Sequence, residues 1–549
     1  MIRYQSNRQL SFSEFILPFS GSLNGHNRWI KLANMLPWDD LVSIYARSLS
    51  EGMGRPTQDL RIELGSLIIQ ELMDWDDREV IAQVQENPYL QFFLGGQEFS
   101  DRRVFDPSLL VTIRKRLNRE SIAELTGEVE KAKKIFDELR EQERSETDTD
   151  HPESSGDSPQ PESLPREAGA DAPVSGSEKS AASPEEGDPR VTHQGTLIVD
   201  ATAAELEIPY PTDLGLLNQA RLQSERLIDL LWPVQRDKSL PRSAGGKKPR
   251  TYRQKAKKAY LSLAKQRKKS RKMIRRGIRQ QLQYLRRNIK IINELSESAA
   301  AKILLKRRDK ALIETIGKVY VQQKEMYDEN KRRVDDRIVN LYQPWVRPIK
   351  RGKSGSDVEF GPKLSVSLIG TMAYVDHFSW DAYNEGNYLK QQVEAYYQRY
   401  GFYPEVVIAD TIYGNRENRR YLKALGIRYS GKKLGRPIQL TEINKERLKA
   451  EKRRRKAEQR KRVLIEGRFG VGRRRYGLGR VRTRLQETSE TSICMAFFAM
   501  SIVAYLAACF FENIRRWWHR NACDCLILRQ IPVFFDNNDN NSLVPGLAA

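Results

Sequence analysis

A chain of 549 residues exceeds what one hydrophobic core usually organises, so two or three domains are expected, and 39% hydrophobic residues suffice to build them. A net charge of +23 with a pI near 9.7 calls for a polyanionic partner; nucleic acid ranks before an anionic membrane surface, because the excess Arg and Lys are interleaved with Tyr and Gln rather than set opposite a wide apolar face. Four cysteines, Cys494, Cys509, Cys523 and Cys525, are too few and too clustered for a disulfide framework and fit a reducing cytosol, and the N-terminus lacks the apolar core of a secretory signal.

Residues 28 to 140 read as helical, with apolar residues at three- and four-residue spacing between Leu60 and Met73. Asp74 to Asp77 can cap a second helix through Val84, and Asn87-Pro88 closes it. A helix-turn-helix and a plain helical bundle both remain open there. From 141 to 190 Glu, Asp, Ser, Pro and Gly dominate, as in a disordered linker.

The run Thr196-Leu-Ile-Val then predicts a buried strand ending at Asp200, and Thr212 predicts the cap of a helix from Leu214 to Leu231. Between Lys247 and Asn293 there are 19 Lys or Arg and no acid, yet helical spacing persists through Leu263, Ile278, Leu282 and Leu285. One sign of charge over such a length repels itself unless phosphate supplies the counter-charge. This is a basic helical arm, with Lys268, Lys269, Arg271, Arg275 and Arg276 as candidate DNA contacts.

Strand-like alternation follows up to Val375, then a helix from Asn384 to Tyr400 and a strand from Val406 to Asp410. Asn415 caps the next helix, which Gly426 ends, and Glu466 sits in an otherwise basic helix. Ile493 to Phe511 is uncharged and long enough to span a bilayer, but it stands alone and reads better as a buried helix of a large domain. The Asn-rich tail has no reading. No phosphate loop or dinucleotide motif implies ATP or NAD, and His519-x3-Cys523-x-Cys525 has too few ligands for a closed zinc site.

Two aspartates closing apolar strands and a glutamate among cations suggest carboxylates that grip hard metal ions beside a phosphate. Asp213, Asp376 and Asp381 are weaker acidic candidates, read as turn and cap residues. Around these positions stand Val199-Asp200-Ala-Thr, Tyr210-Pro-Thr-Asp213, Arg347-Pro-Ile-Lys-Arg-Gly352, Ser379-Trp-Asp-Ala-Tyr-Asn384, Asp410-x-x-Tyr413-Gly-Asn415 and Ile465-Glu466-Gly-x-Phe-Gly470, with Gly54-Arg-Pro56 and Phe93-Leu-Gly95 upstream. Together they resemble the bacterial insertion-sequence DDE transposases, including an InsH-type N-terminal part.

The resemblance implies an α/β catalytic core of ribonuclease H-like type, a mixed sheet flanked by helices, with the basic arm inserted and an all-α N-terminal domain. The implied division is 1–140 for DNA-end binding, 141–192 linker, 193–515 catalytic with the insertion at about 245–335, and 516–549 tail. It makes Asp200, Asp410 and Glu466 the catalytic and metal-holding triad, with two Mg2+ ions that Mn2+ could replace. Arg462, Arg473, Arg474 and Tyr413 become DNA contacts. The family's Tyr-x2-Arg-x3-Glu-x6-Lys signature is met only in part, since Gln459 holds the tyrosine position and Arg473 the lysine position. Offsets of minus four and plus seven set Arg462, Glu466 and Arg473 on one helical stripe.

The implied partners are double-stranded DNA, as element ends and target, and a second copy of the chain in the DNA complex, with no membrane. The implied location is the bacterial cytoplasm, at the nucleoid. Two rivals remain: a metal-dependent nuclease or resolvase, and a catalytically inactive DNA-binding derivative.

Overall fold

The computed structural model describes residues 2–6, 11–50, 56–148, 192–235, 248–353, 356–436, 438–439 and 441–522. The acidic stretch from 149 to 191, Gly54, Cys523, Cys525 and the Asn-rich tail lie outside them.

The N-terminal segment carries α1 (Arg28–Met35), α2 (Trp38–Ala46), α3 (Leu60–Met73), α4 (Asp77–Glu86), α5 (Pro88–Phe93), α6 (Leu109–Arg116) and α7 (Arg119–Asp148). Local chemistry sets the boundaries. The Asp59 side chain accepts from the Arg61 amide to start α3, and Asp74 ends it in the left-handed region at φ 52°. The Asp76 side chain accepts from the Arg78 and Glu79 amides to start α4. Asn87 caps α5, whose first residue, Pro88, has no amide hydrogen to leave unpaired.

Next come β1 (Thr196–Ala203), α8 (Asp213–Gln235), α9 (Arg253–Ala264), α10 (Arg271–Ser296), α11 (Ala299–Leu304) and α12 (Arg307–Asp328). The remainder runs β2 (Pro348–Lys353), β3 (Ser356–Phe360), β4 (Lys363–Ile369), β5 (Met372–Ser379), α13 (Leu389–Tyr400), β6 (Val406–Ile408), α14 (Arg416–Ala424), β7 (Arg428–Tyr429), α15 (Glu442–Arg460), α16 (Arg462–Arg475) and α17 (Gln486–Ala522). Five strands form a mixed sheet in the order β5-β4-β1-β6-β7. β5, β4 and β1 are antiparallel, whereas β1, β6 and β7 are parallel. β1 is central, which explains why Leu197, Ile198 and Val199 are all buried.

One contiguous core runs from Phe15 to Tyr505 and joins the N-terminal helices to the sheet. α17 makes that union, packing on α3, α6, α7 and β5. It is long and apolar enough to cross a bilayer, but 67% of its apolar window is buried inside the molecule, as expected of a core helix.

α8, α10 and α12 build a second core around Leu217, Leu227, Leu285, Ile316 and Val319, so the helical insertion already begins at Asp213. Inside it the fully buried Arg221 donates to Glu225, Asn218 and, across to α10, Gln281. Removing one member of a buried ion pair strands the other's charge. Arg221→Met should therefore destabilise the insertion by about 3–5 kcal/mol, read as protease cleavage within residues 248–328 at urea concentrations that leave the wild type intact.

Candidate active site

The sheet register sets the first two acids. Ile198 of β1 lies opposite Ile408 of the parallel β6, and Asp200 and Asp410 each follow two residues later. Both aspartates thus lie just past the last parallel pair of β1 and β6, on the carboxyl side of that pairing, where open α/β sheets place their ligands. β1 does not end at Asp200, as its sequence suggests; it continues to Ala203 because β4 pairs with it throughout, Asp200 facing Val366. It is β6 that stops. The Asp200 Oδ1 accepts from the Ala201 amide at 2.8 Å, and the Asp410 Oδ1 from the Thr411 amide at 2.6 Å, so local backbone donors orient both side chains.

Glu466 arrives on α16, which lies on β1 with Ile465 and Phe469 buried beneath it. One turn earlier, Arg462 ties the site together. Its guanidinium donates to Asp200 Oδ2, Asp410 Oδ1 and Glu466 Oε1, each at 3.3 Å. Three carboxylates from three elements therefore converge on one cation. Arg462 and Asp200 are mostly covered, at 19% and 14% side-chain exposure, while Asp410 and Glu466 are open to solvent at 47% and 56%. Burial pushes the Asp200 carboxyl above its ordinary range, against the Ala201 amide and Arg462, which pull it down. Burial also works against the Arg462 charge, but Asp200, Asp410 and Glu466 outweigh it and hold its pKa above the usual value.

The donor set suits a hard divalent ion, since carboxylate oxygens are its natural ligands. Among the described residues, however, no three His, Cys, Asp or Glu side chains stand close enough to hold one as they are placed. The reason is at hand: the acids are spaced around a guanidinium, whose contacts are longer than the roughly 2.0–2.1 Å of Mg2+ to oxygen.

Gln459, seven residues before Glu466, is committed to the fold. Its amide donates to Ser430 Oγ at 2.7 Å and to the Ala409 carbonyl at 3.3 Å, fastening the end of α15 beside Asp410. Two expected DNA contacts face inward instead. Tyr413 is fully buried, its hydroxyl without a hydrogen-bond partner, and burial, followed by the charges of Glu385 and Asp200, drives its pKa well up. Arg473 holds Glu359 at 2.9 and 3.1 Å and the Ala203 carbonyl at 2.8 Å, pinning α16 to β1 and β3. Arg474 is exposed in the last turn of α16.

On the insertion, Lys268, Lys269, Arg271 and Arg276 are exposed, and Arg275 stacks over Tyr327 at 4.2 Å. The weaker acids have structural partners: Asp376 pairs with Arg399 at 2.6 Å, Asp213 with Arg337 at 2.6 Å, and Asp381 with Arg347 at 3.4 Å. Sequence reasoning missed α15, whose exposed Lys452, Arg453, Arg454, Lys456 and Arg460 lead directly to Arg462; the run Lys452-Arg-Arg-Arg-Lys456 was its signal. It also missed Glu385, which pairs with Lys363 at 2.8 Å and whose charge reaches Asp200.

Comparison with known families gives this geometry a lineage. Residues 407–503, which contain Asp410 and Glu466, match the family described as Transposase DDE domain, and residues 19–116 match Transposase domain (DUF772). A transposase domain is thus matched towards each end of the chain, and the pair supports an insertion-sequence DDE transposase. Asp200 lies upstream of the matched catalytic segment, and its place in the site rests on the sheet register and on Arg462. The chain is also similar to the uncharacterized protein ORF8 in the nfe locus of Rhizobium meliloti, 29% identical over 103 residues, or 19% of this chain. It spans about half, 49%, of that curated relative. No solved structure matches.

Proposed function

We propose that this chain is the transposase of a bacterial insertion sequence, cutting the element's ends and joining the freed 3′-hydroxyl to target DNA. The observation that carries the reading is the convergence of Asp200, Asp410 and Glu466 on a single cation. The sheet, with three antiparallel strands continued by two parallel ones, supports a ribonuclease H-like core. Residues 1–140 are assigned to DNA-end binding and residues 193–515 to catalysis.

Asp200, Asp410 and Glu466 would hold two Mg2+ ions, which supply Lewis-acid polarisation of the phosphate and an activated nucleophile. The chain's own residues do the rest. The Ala201 and Thr411 amides fix the aspartates, and buried Ile465 and Phe469 fix the helix that presents Glu466. The cations of α15 and Arg474 attract the sugar-phosphate backbone toward the acids. Hydrolysis at the element's end and attack by the resulting 3′-hydroxyl are both displacements at phosphorus, so one site serves both. Bringing two ends together calls for a homodimer in the DNA complex.

Purified protein incubated with pre-cut element ends, plasmid and Mg2+ or Mn2+ should yield covalently joined products. Cleavage without joining would instead identify a nuclease or resolvase. Binding to end DNA should weaken with salt at a log–log slope of about 0.9 per phosphate neutralised. If the insertion holds DNA, replacing Lys268, Lys269, Arg271 and Arg276 together by Ser should lower that slope by roughly three to four. An unchanged slope would move the DNA path off the insertion.

A further inference from the structure

Arg462 and Arg473 lie on the same helix and meet carboxylates in different ways. Arg473 grips Glu359 with two short bonds and adds a backbone carbonyl, the forked geometry in which arginine acts as a fixed clamp. Arg462 makes one long contact to each of three acids, all at 3.3 Å, and its buried Nε has no hydrogen-bond partner. An orphaned nitrogen alone is not peculiar to it, since the ion-paired Arg114 and Arg399 have one too; what sets Arg462 apart is that its long single contacts are divided among three acids. It behaves as a counter-ion shared by one covered and two solvent-open acids without being shaped to any of them.

Its guanidinium also lies within 3.3 Å of all three acids. A divalent ion on the same oxygens would stand against a guanidinium contacting those oxygens, and like charges at that separation repel, least screened beside the mostly covered Asp200. We propose that Arg462 is an exchangeable internal counter-ion: it occupies the divalent-ion seat in the resting protein, and withdraws from Asp200, Asp410 and Glu466 when the ions load. The nearest new anion is then the scissile phosphate, so Arg462 serves as a positioning residue that couples ion loading to DNA engagement. The inference rests on the divalent-ion reading of the three acids given above.

The test measures binding of Mn2+ alone to the full chain by titration calorimetry or spin resonance, with no turnover involved. Arg462→Gln, which removes the charge, should bind Mn2+ roughly tenfold more tightly than the wild type, and Arg462→Lys, which keeps one, should fall between them. Adding a short end duplex should tighten Mn2+ binding to the wild type and leave Arg462→Gln nearly unmoved, a coupling that a purely structural arginine would not generate. Should Arg462→Gln fail to fold, the Lys variant and the duplex effect on the wild type carry the same comparison. Equal or weaker Mn2+ binding by Arg462→Gln, beside a wild type that binds, overturns the exchange while leaving the active-site assignment in place. Absence of Mn2+ binding by every form overturns both.

Discussion

Asp200→Asn and Asp410→Asn should each lower strand cleavage and joining by on the order of a thousandfold or more, while end-DNA binding stays within a few-fold of the wild type. The substitutions are nearly isosteric, and the backbone-amide contacts that orient the two side chains survive them. In both aspartates Oδ1 accepts a hydrogen bond from the next residue's amide, which an Asn Oδ1 reproduces. What disappears is charge at the point toward which all three acids converge. Glu466→Gln should behave alike, its side chain being solvent-facing and its helix held by Ile465 and Phe469. Asp376→Asn is the contrast: its carboxylate is committed to Arg399, so any loss should appear in melting temperature rather than in chemistry at matched folded fraction. A normally folded Asp200→Asn protein that cleaves within tenfold of the wild type would remove the three acids from the mechanism.

Much of this site could be read along the chain because its determinants are local. A short apolar run that ends in an acid marks a buried strand, and both aspartates follow such runs. The four-residue spacing of Arg462 and Glu466 places them on one helical face, where they meet. Periodicity could not show that the same guanidinium reaches two strands from distant segments, since that depends on how α16 lies across the sheet. The inward placement of Tyr413 and Arg473 was hidden for a related reason: whether a polar side chain is covered depends on elements distant in the chain. The merging of the N-terminal helices with the sheet was also hidden, because it depends on α17, whose apolar run fits a buried helix and a membrane span alike. Asymmetric charge, by contrast, is legible at any range, and the insertion's exposed lysines and arginines lie where composition put them.

The seam made by α17 leads to the second large effect, on stability against pH. Glu71 of α3 is buried against α17, its Oε1 accepting from the Ser492 hydroxyl at 2.9 Å. Burial pushes its carboxyl up to about 8, opposed by the Ser492 hydrogen bond and Arg114 and reinforced by Asp74 and Asp77. In the unfolded chain the same carboxyl ionises near its ordinary value of 4.5. Between those limits the folded protein keeps a proton that the unfolded chain has released, so the contribution is complete below the ordinary carboxylate range and lost progressively as pH rises toward 8. At about 1.4 kcal/mol per pKa unit the loss amounts to several kcal/mol. Glu71→Gln keeps the shape, can still accept from Ser492, and cannot ionise. It should therefore match the wild type at pH 4 to 5 and melt several degrees higher at pH 9, the gap opening between the two. Parallel melting curves for the two proteins across that range would mean that Glu71 is ionised and accommodated in the fold, and that the α3–α17 seam carries no such penalty.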